Sequence, residues 1–473
     1  MDRWVHDYKE LGISQSNTAQ ITNFGRPSIR RQALATRRAT TFGRIAIAVL
    51  VSVVGSAAAQ PSFQRLGILA GGTSSEALGV SADGSVVVGT SESSAGPQAV
   101  RKVGGSLLGL GFLGTGDDSG AMACSANGAV VVGTANDGLG SYWPISWTQA
   151  GGMIALPCLP NSNQSQAWGV SANGQVVVGF CGHFDLTGFW MRAVKITGGT
   201  ATNLGTLPGF PDSWALGVSG DGTVAVGIAL NAVAGGEGRA FWWTAAGGMQ
   251  PLPEVVAGGS STHGISGNGR VAVGMSFVGS GGGRAVRWRS CGGGALPATV
   301  DNDLGVLPGD TLSVALAASG DGSVIVGKSG AGDPATTGHE YAFIWNETSH
   351  MRDLRAVLAS AGVNLTGWTL TEATGVSSNG RVIVGKGVNP QGLQEGWIAN
   401  LGTPCSANCD GSTAAPLLTA NDFQCFLNKF AAAPSDRCLH MNSYVNFDGS
   451  TSAPVLNAND FQAFLNSYAT GCP

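Results

Sequence analysis

The sequence predicts an all-β fold, a ring of seven four-stranded blades with a small helical domain after it, and three observations carry that expectation. A phrase made of an apolar run, an Asx-Gly pair and a second apolar run is written seven times, from Ala77–Gly89 to Ala373–Gly385. Its turn glycines Gly84, Gly128, Gly174, Gly222, Gly269, Gly322 and Gly380 are separated by 44, 46, 48, 47, 53 and 58 residues, a period that marks stacked supersecondary units. Only 11% of residues are charged while Gly contributes 75, which suits short strands joined by turns with positive φ. Four strands per unit of about 45 residues is the size of a propeller blade, so a seven-bladed β-propeller is expected over residues 60–402.

Residues 1–59 read as a leader and signal peptide. Arg30, Arg31, Arg37, Arg38 and Arg44 precede the apolar run Ile45 to Val54, and the small residues Gly55-Ser56-Ala57-Ala58-Ala59 supply a cleavage site after Ala59. That run falls short of the ~20 apolar residues that cross a bilayer, so no membrane span is expected after cleavage. The predicted destination is secreted, extracellular or cell-surface associated. Nine cysteines fit such an oxidising place, although no pairing follows from the sequence.

Within each unit the Asx-Gly pair is the hairpin, because both turn residues need positive φ and the resulting twist matches the strands. A leading Leu-Gly-x-Leu piece, such as Leu204-Gly205-Thr206-Leu207, and a trailing aromatic piece, such as Ala342-Phe343-Ile344-Trp345, complete four strands. Trp147, Trp190, Trp242, Trp288, Trp345 and Trp397 read as one recurring strand position that packs between blades. Units five to seven carry insertions. The one around Leu354-Arg355-Ala356-Val357-Leu358 has helix-forming residues and predicts a short surface helix.

The phrase Gly79-Val80-Ser81-Ala82-Asp83-Gly84-Ser85-Val86-Val87-Val88-Gly89 with its trailing Ala-Phe-x-Trp resembles the extracellular HAF repeats. That resemblance covers Leu66 to Leu401 and implies a secreted, propeller-like module of unassigned ligand. Copies two and six depart from it at Ala123-Cys124 and Ala317-Ala318.

Residues 403–473 form a second module, duplicated with an offset of 38 residues: Asn408-Cys409-Asp410-Gly411 returns as Asn446-Phe447-Asp448-Gly449, and Asn421-Asp422-Phe423 as Asn459-Asp460-Phe461. Apolar residues then fall at helical spacing, Phe423, Phe426, Leu427, Phe430 and Phe461, Phe464, Leu465, Tyr468, so two loop-helix units are expected. Asn-x-Asp-Gly with a downstream acid has the oxygen donors and sharp turn of a calcium loop. The duplication is similar to a divergent, Gly-Cys-ending dockerin-type anchor, with Gly471-Cys472 as that ending. What this implies is an α-helical, EF-hand-type domain holding calcium through Asn408, Asp410, Asp422, Asn446, Asp448 and Asp460, and a cohesin-like or cell-surface anchoring partner. Ser406 and Tyr444 stand where a first-position Asp belongs, and two carboxylates per loop are few for tight binding.

No catalytic residue is singled out. Spaced zinc histidines, a nucleophile elbow and a phosphate loop are all missing from the sequence. A net charge of −4 without a basic stripe argues against nucleic acid. Two tryptophans break the repeat pattern: Trp168 replaces the leucine of sister copies, and Trp214 follows Pro211-Asp212-Ser213. Aromatic faces stack on sugars, so Trp168 and Trp214 are the candidate ligand residues, with extracellular polysaccharide as the candidate ligand. The expected function is a binding or structural module. The alternative is a polysaccharide-degrading enzyme, a glycoside hydrolase or lyase, using acids such as Asp212, Glu254 or Glu340.

Overall fold

The computed structural model describes residues 60–402, except 186–187, 232–236, 257, 278–281, 291–294, 298–299, 302–303 and 332–338, together with 423–424, 427, 462 and 464–465. After β1 (Ser62–Arg65), unit 1 holds β2 (Ser75–Val80), β3 (Val86–Ser93), β4 (Gly96–Val103) and β5 (Ser106–Gly109). Unit 2 holds β6 (Ser119–Cys124), β7 (Val130–Asn136), β8 (Tyr142–Thr148) and β9 (Gly152–Ala155). Unit 3 holds β10 (Gln164–Val170), β11 (Val176–Asp185), β12 (Gly188–Thr197) and β13 (Thr200–Asn203), and unit 4 β14 (Asp212–Val218), β15 (Val224–Asn231), β16 (Glu237–Thr244) and β17 (Gly248–Pro251). Unit 5 holds β18 (Ser260–Ile265), β19 (Val271–Phe277), β20 (Gly283–Arg289) and β21 (Val300–Asp301). Unit 6 has β22 (Leu312–Ala318), β23 (Val324–Gly330), β24 (Glu340–Asn346) and β25 (His350–Asp353), followed by the helix α1 (Leu354–Ser360). Unit 7 has β26 (Thr369–Val376), β27 (Val382–Val388) and β28 (Gln394–Asn400), completed by β1 pairing antiparallel with β28.

The expectation of a seven-bladed β-propeller with a helical EF-hand-type domain is corrected on both counts. Hydrogen bonding gives six sheets, five of four strands and one of eight. The wide sheet arises because β10 meets β8 in parallel at Gln164 and Tyr142, where the loop before β10 supplies the Asn163 carbonyl to the Tyr142 N–H at 3.0 Å. The one continuous helix among the described residues is α1, inside the repeat array and at the insertion where a helix was expected. Of the tail, Phe423, Gln424, Leu427, Gln462, Phe464 and Leu465 are helical, and the Phe423 and Phe464 rings lie 6.3 Å apart.

Each unit repeats one hydrogen-bonded device. A buried serine donates its hydroxyl to the Asx side chain two residues on and accepts the N–H five residues on. In unit 4 these are Ser219 to Asp221 at 2.5 Å and Val224 to Ser219 at 3.0 Å. The turns are also stitched to one another: Ala82 N donates to Ala126 O, Ala126 to Ala172, Ala172 to Gly220 and Gly220 to Gly267. Asn268 then donates to Gly320, Gly320 to Ser378, and Ser378 N to Ala82 O at 2.9 Å. Positive φ is required at the glycine of the turn, and Gly84 (φ 80) also sits where a Cβ would strike Val382 of unit 7.

The core lies between units. First strands approach closely through small, fully buried residues, Ala77, Ala121, Ala167, Thr262 and Ala315, while Val88, Val132, Val178 and Val226 from second strands fill the next layer. Trp147, Trp242, Trp288, Trp345 and Trp397 are buried, as their expected packing role requires. They do not share one position, however. Trp147, Trp288 and Trp345 lie opposite Val131, Ala272 and Ile325, whereas Trp397 lies opposite Gly385 and Trp190 opposite His183, near the far end of the hairpin. No helix of the described residues is long and apolar enough to cross a membrane.

Candidate functional site: an aromatic cleft on unit 3

β11 and β12 are ten residues each, longer than the seven or eight of the corresponding strands described in the other units. The end of that hairpin is aromatic. His183 and Trp190 are cross-strand partners whose rings stack at 6.2 Å and 19°. On the opposite face Phe184 and Phe189 pair edge to face at 6.0 Å and are 62% and 44% exposed, a large apolar display for residues so near a strand end.

The His183–Trp190 face meets the loop that enters β10, and between them opens a cleft of about 580 Å³ lined by Asn161, Ser162, Asn163, His183, Gly188 and Trp190. That loop is firmly held. Asn161 adopts φ 64 and presents its carbonyl to His183 Nδ1 at 2.7 Å. Asn163 accepts the Phe184 N–H at 2.9 Å and donates to the Phe184 carbonyl at 3.0 Å. Behind it a disulfide joins Cys158 to Cys181, the residue two before His183, and the Leu159 N–H contacts the same sulfur. His183 Nε2 lies 3.0 Å from Asp185 Oδ2, so both ring nitrogens face acceptors. Arg192 sits 5.9 Å from the Trp190 ring centroid. A planar ring pair rimmed by amide and carboxylate groups is suited to a polyhydroxylated ligand, whose C–H face stacks while its hydroxyls bond the rim.

The two tryptophans singled out from sequence are elsewhere. Trp214, on β14, stacks on Phe180 at 5.6 Å and 29° and donates its indole N–H to Met191 Sδ at 2.9 Å, a packing contact between units 3 and 4. Trp168, on β10, buries its indole nitrogen with no hydrogen-bond partner among the described residues. Neither lines the cleft. The residue that does, Trp190, had a signal in the sequence that its grouping with the other tryptophans concealed. Aligned on the hairpin glycines, Gly179 faces Val194 as Gly133 faces Ile145, which puts Trp190 four residues before the common position and Trp147 two after it.

The acids considered for hydrolysis do not converge. Asp212, on β14, is buried under the Met191 N–H and Arg192; Glu254, after β17, pairs with Arg239 at 2.9 Å; and Glu340, on β24 of unit 6, pairs with Lys328 at 3.0 Å. Glu340 begins a ladder of charges in which Lys328 reaches Glu372 at 3.5 Å, and Lys386 reaches Glu372 at 3.8 Å and Glu76 at 3.5 Å, linking units 6, 7 and 1. Burial opposes charge on Lys328, but Glu372 and Glu340 outweigh it and hold the ammonium above its usual range. His263 beside this ladder is pushed down to about 4 by burial and by Lys328. The proposed calcium ligands Asn408, Asp410, Asp422, Asn446, Asp448 and Asp460 lie outside the described residues.

No family model and no curated protein matches the chain. Among solved structures it is similar to oligogalacturonate lyase from Vibrio parahaemolyticus, at 11% identity over 72% of this chain and 97% of that one, with a TM-score of 0.46. It is also similar to the β-propeller domain of the Trilobed protease from Pyrococcus furiosus, at 8% identity over 58% and 82% of the two chains, with a TM-score of 0.41. TolB from Acinetobacter baumannii matches at 12% identity and a TM-score of 0.35, over 58% of this chain and 65% of that one, so this chain spans less than two thirds of that relative. The chain is an all-β repeat protein with β-propellers among its structural neighbours.

Proposed function

We propose that the chain is a secreted, extracellular repeat protein that binds a polysaccharide through the unit 3 cleft and is held to a cohesin-like or cell-surface partner by its dockerin-like, calcium-binding tail. The observation that carries the binding part is the stacked His183–Trp190 pair beside the Asn161–Asn163 loop. Sugar recognition needs an aromatic plane plus fixed polar groups at its edge, and the disulfide and paired Asn163 bonds fix that edge before any ligand arrives.

The full chain on a glycan array, followed by titration of the best glycan, is the direct test. Trp190→Ala is expected to weaken binding at least tenfold, while Trp168→Phe leaves it unchanged. Equal affinity of the Trp190 variant, or release of reducing ends from the bound glycan, would sink the proposal; the second outcome selects the hydrolase or lyase reading. For the tail, calorimetry with calcium is expected to show heat that Asp410→Ala with Asp448→Ala removes, and a silent wild type would end the calcium part.

A further inference from the structure

On the side of the molecule formed by units 6 and 7, a second cavity of about 260 Å³ lies beneath α1. Val324, Ile344, Val357 and Leu358 line it with apolar surface, and Arg352 and Arg381 line it as well. Neither guanidinium has a carboxylate partner among the described residues. Arg352 is exposed at the mouth and Arg381 is half-buried, and the partial burial of Arg352 holds its guanidinium below the ordinary range.

The third-strand position that borders the cavity varies from unit to unit. In unit 1 the third-strand residue opposite Val88 is Arg101, which donates through Nε to the Gly128 carbonyl of the next turn at 3.1 Å. In unit 3 the residue opposite Val178 is Lys195, which donates to the Gly222 carbonyl at 2.8 Å. These long cations reach from a unit to the following turn, whereas units 2, 4 and 7 carry Ser146, Trp242 and Ile398 at the same position. In unit 6 the equivalent residue, opposite Val326, is Ile344, and its cross-strand partner on β25 is Arg352, where unit 1 has Leu108. Charge and hydrocarbon have exchanged places. The short apolar side chain leaves the space before Gly380 open, and α1, whose Leu354 and Leu358 are fully buried, roofs it.

We propose that this pocket binds a small amphipathic carboxylate, an aliphatic or aromatic acid whose hydrocarbon part lies against Val324, Ile344, Val357 and Leu358 while its carboxylate pairs with Arg352 and Arg381. Its volume falls just under the ~300 Å³ at which drug-sized sites begin, so the ligand is a small molecule. An anion with an apolar body satisfies both features of the pocket at once, since a hydrocarbon alone leaves the guanidinium groups unpaired and a bare inorganic anion leaves the apolar wall wet.

Titration of the full chain with octanoate, 1-octanol and octylamine at millimolar concentration tests this. Octanoate is expected to bind at least tenfold more tightly than octanol, and octylamine not at all; Arg352→Gln with Arg381→Gln is expected to erase the preference. Ile344→Arg puts a long cation at this position, as in units 1 and 3, so it is expected to abolish octanoate binding while the melting temperature is kept. Absence of octanoate binding, equal binding of octanol, or undiminished binding in Ile344→Arg with unchanged melting would overturn the assignment.

Discussion

Ser81→Ala is the substitution whose effect is most fully determined by the repeat device. The Ser81 hydroxyl is fully buried, donates to Asp83 Oδ1 at 2.6 Å and accepts the Val86 N–H at 2.9 Å. Removing it leaves a buried amide hydrogen unpaired, which costs about 1–3 kcal/mol. With an unfolding entropy of about 2.1 cal/mol/K per residue over roughly 340 residues, a loss near 2 kcal/mol lowers the melting temperature by about 3 °C. The same hydroxyl, followed by the Ser85 N–H and hydroxyl, holds the Asp83 carboxyl below its usual 3.8. A folded pKa below the unfolded one contributes stability that is present above about pH 4 and is lost as pH falls through the lower folded value. Asp83 is largely exposed, so solvent screens this part and it is the smaller share. Unit 2 is the internal control, because Ser125 makes the same two bonds, 2.9 Å to Asn127 and 3.0 Å from Val130, with a partner that does not titrate. Calorimetric melting from pH 7 towards pH 2.5 should therefore show the penalty of Ser81→Ala narrowing while that of Ser125→Ala stays constant. Parallel penalties in the two units, or no shift for either, would refute the reasoning.

Three further outcomes follow from particular contacts. Reducing Cys158–Cys181, whose partners are 23 residues apart, should lower stability by about 3 kcal/mol on the loop-closure account and loosen the Asn161–Asn163 rim, read as a lower melting temperature together with weaker glycan binding. His263, neutral in the fold because its pKa is pushed down to about 4, contributes stability that is complete above about pH 6.5 and declines as pH falls from there towards 4; His263→Gln should flatten that decline, and an unchanged acid limb would count against it. Gly322→Ala combines φ 79 with a Cβ placed 2.5 Å from Val271 Cγ2, whereas at Gly105, φ 91, nothing lies within 4 Å of the added atom. Alanine at Gly105 should cost about 1–2 kcal/mol of backbone strain alone and alanine at Gly322 clearly more, measured as the difference between their denaturation midpoints.

What the sequence made legible was whatever is decided within a dozen residues. The Asx-Gly pairs marked every turn because the positive φ of each turn glycine is a local requirement, although the Asx residues, expected to share it, do not adopt it; the insertion after Asp353 was readable as helix from its helix-forming residues. Features decided between distant segments were not legible. The joining of units 2 and 3 into one sheet turns on a single parallel pairing of Gln164 with Tyr142, which no propensity encodes. The pairing of Cys158 with Cys181 depends on the loop from Leu156 to Asn163 folding back along β11, and nine cysteines leave that choice open. Residue type alone does not give register: a strand places side chains by their distance from a fixed pairing, and Trp190, opposite His183 near the hairpin end, is part-buried against the core around Cys181 and also lines the cleft.

The location of the cleft follows from the same accounting of strand length. The last residues of a long second and third strand need a reason of their own to be ordered. In unit 3 the reason is visible: Cys181 anchors the base of the extension, Asn163 pairs with both backbone groups of Phe184, and Asn161 meets His183. Three independent ties hold this one hairpin. They set the orientation of two ring planes at the tip. Preorganised aromatic planes lose little conformational entropy when a ligand stacks on them. That is a physical argument for recognition at Trp190, and it applies with much less force to Trp214, whose ring is already occupied by Phe180 and Met191.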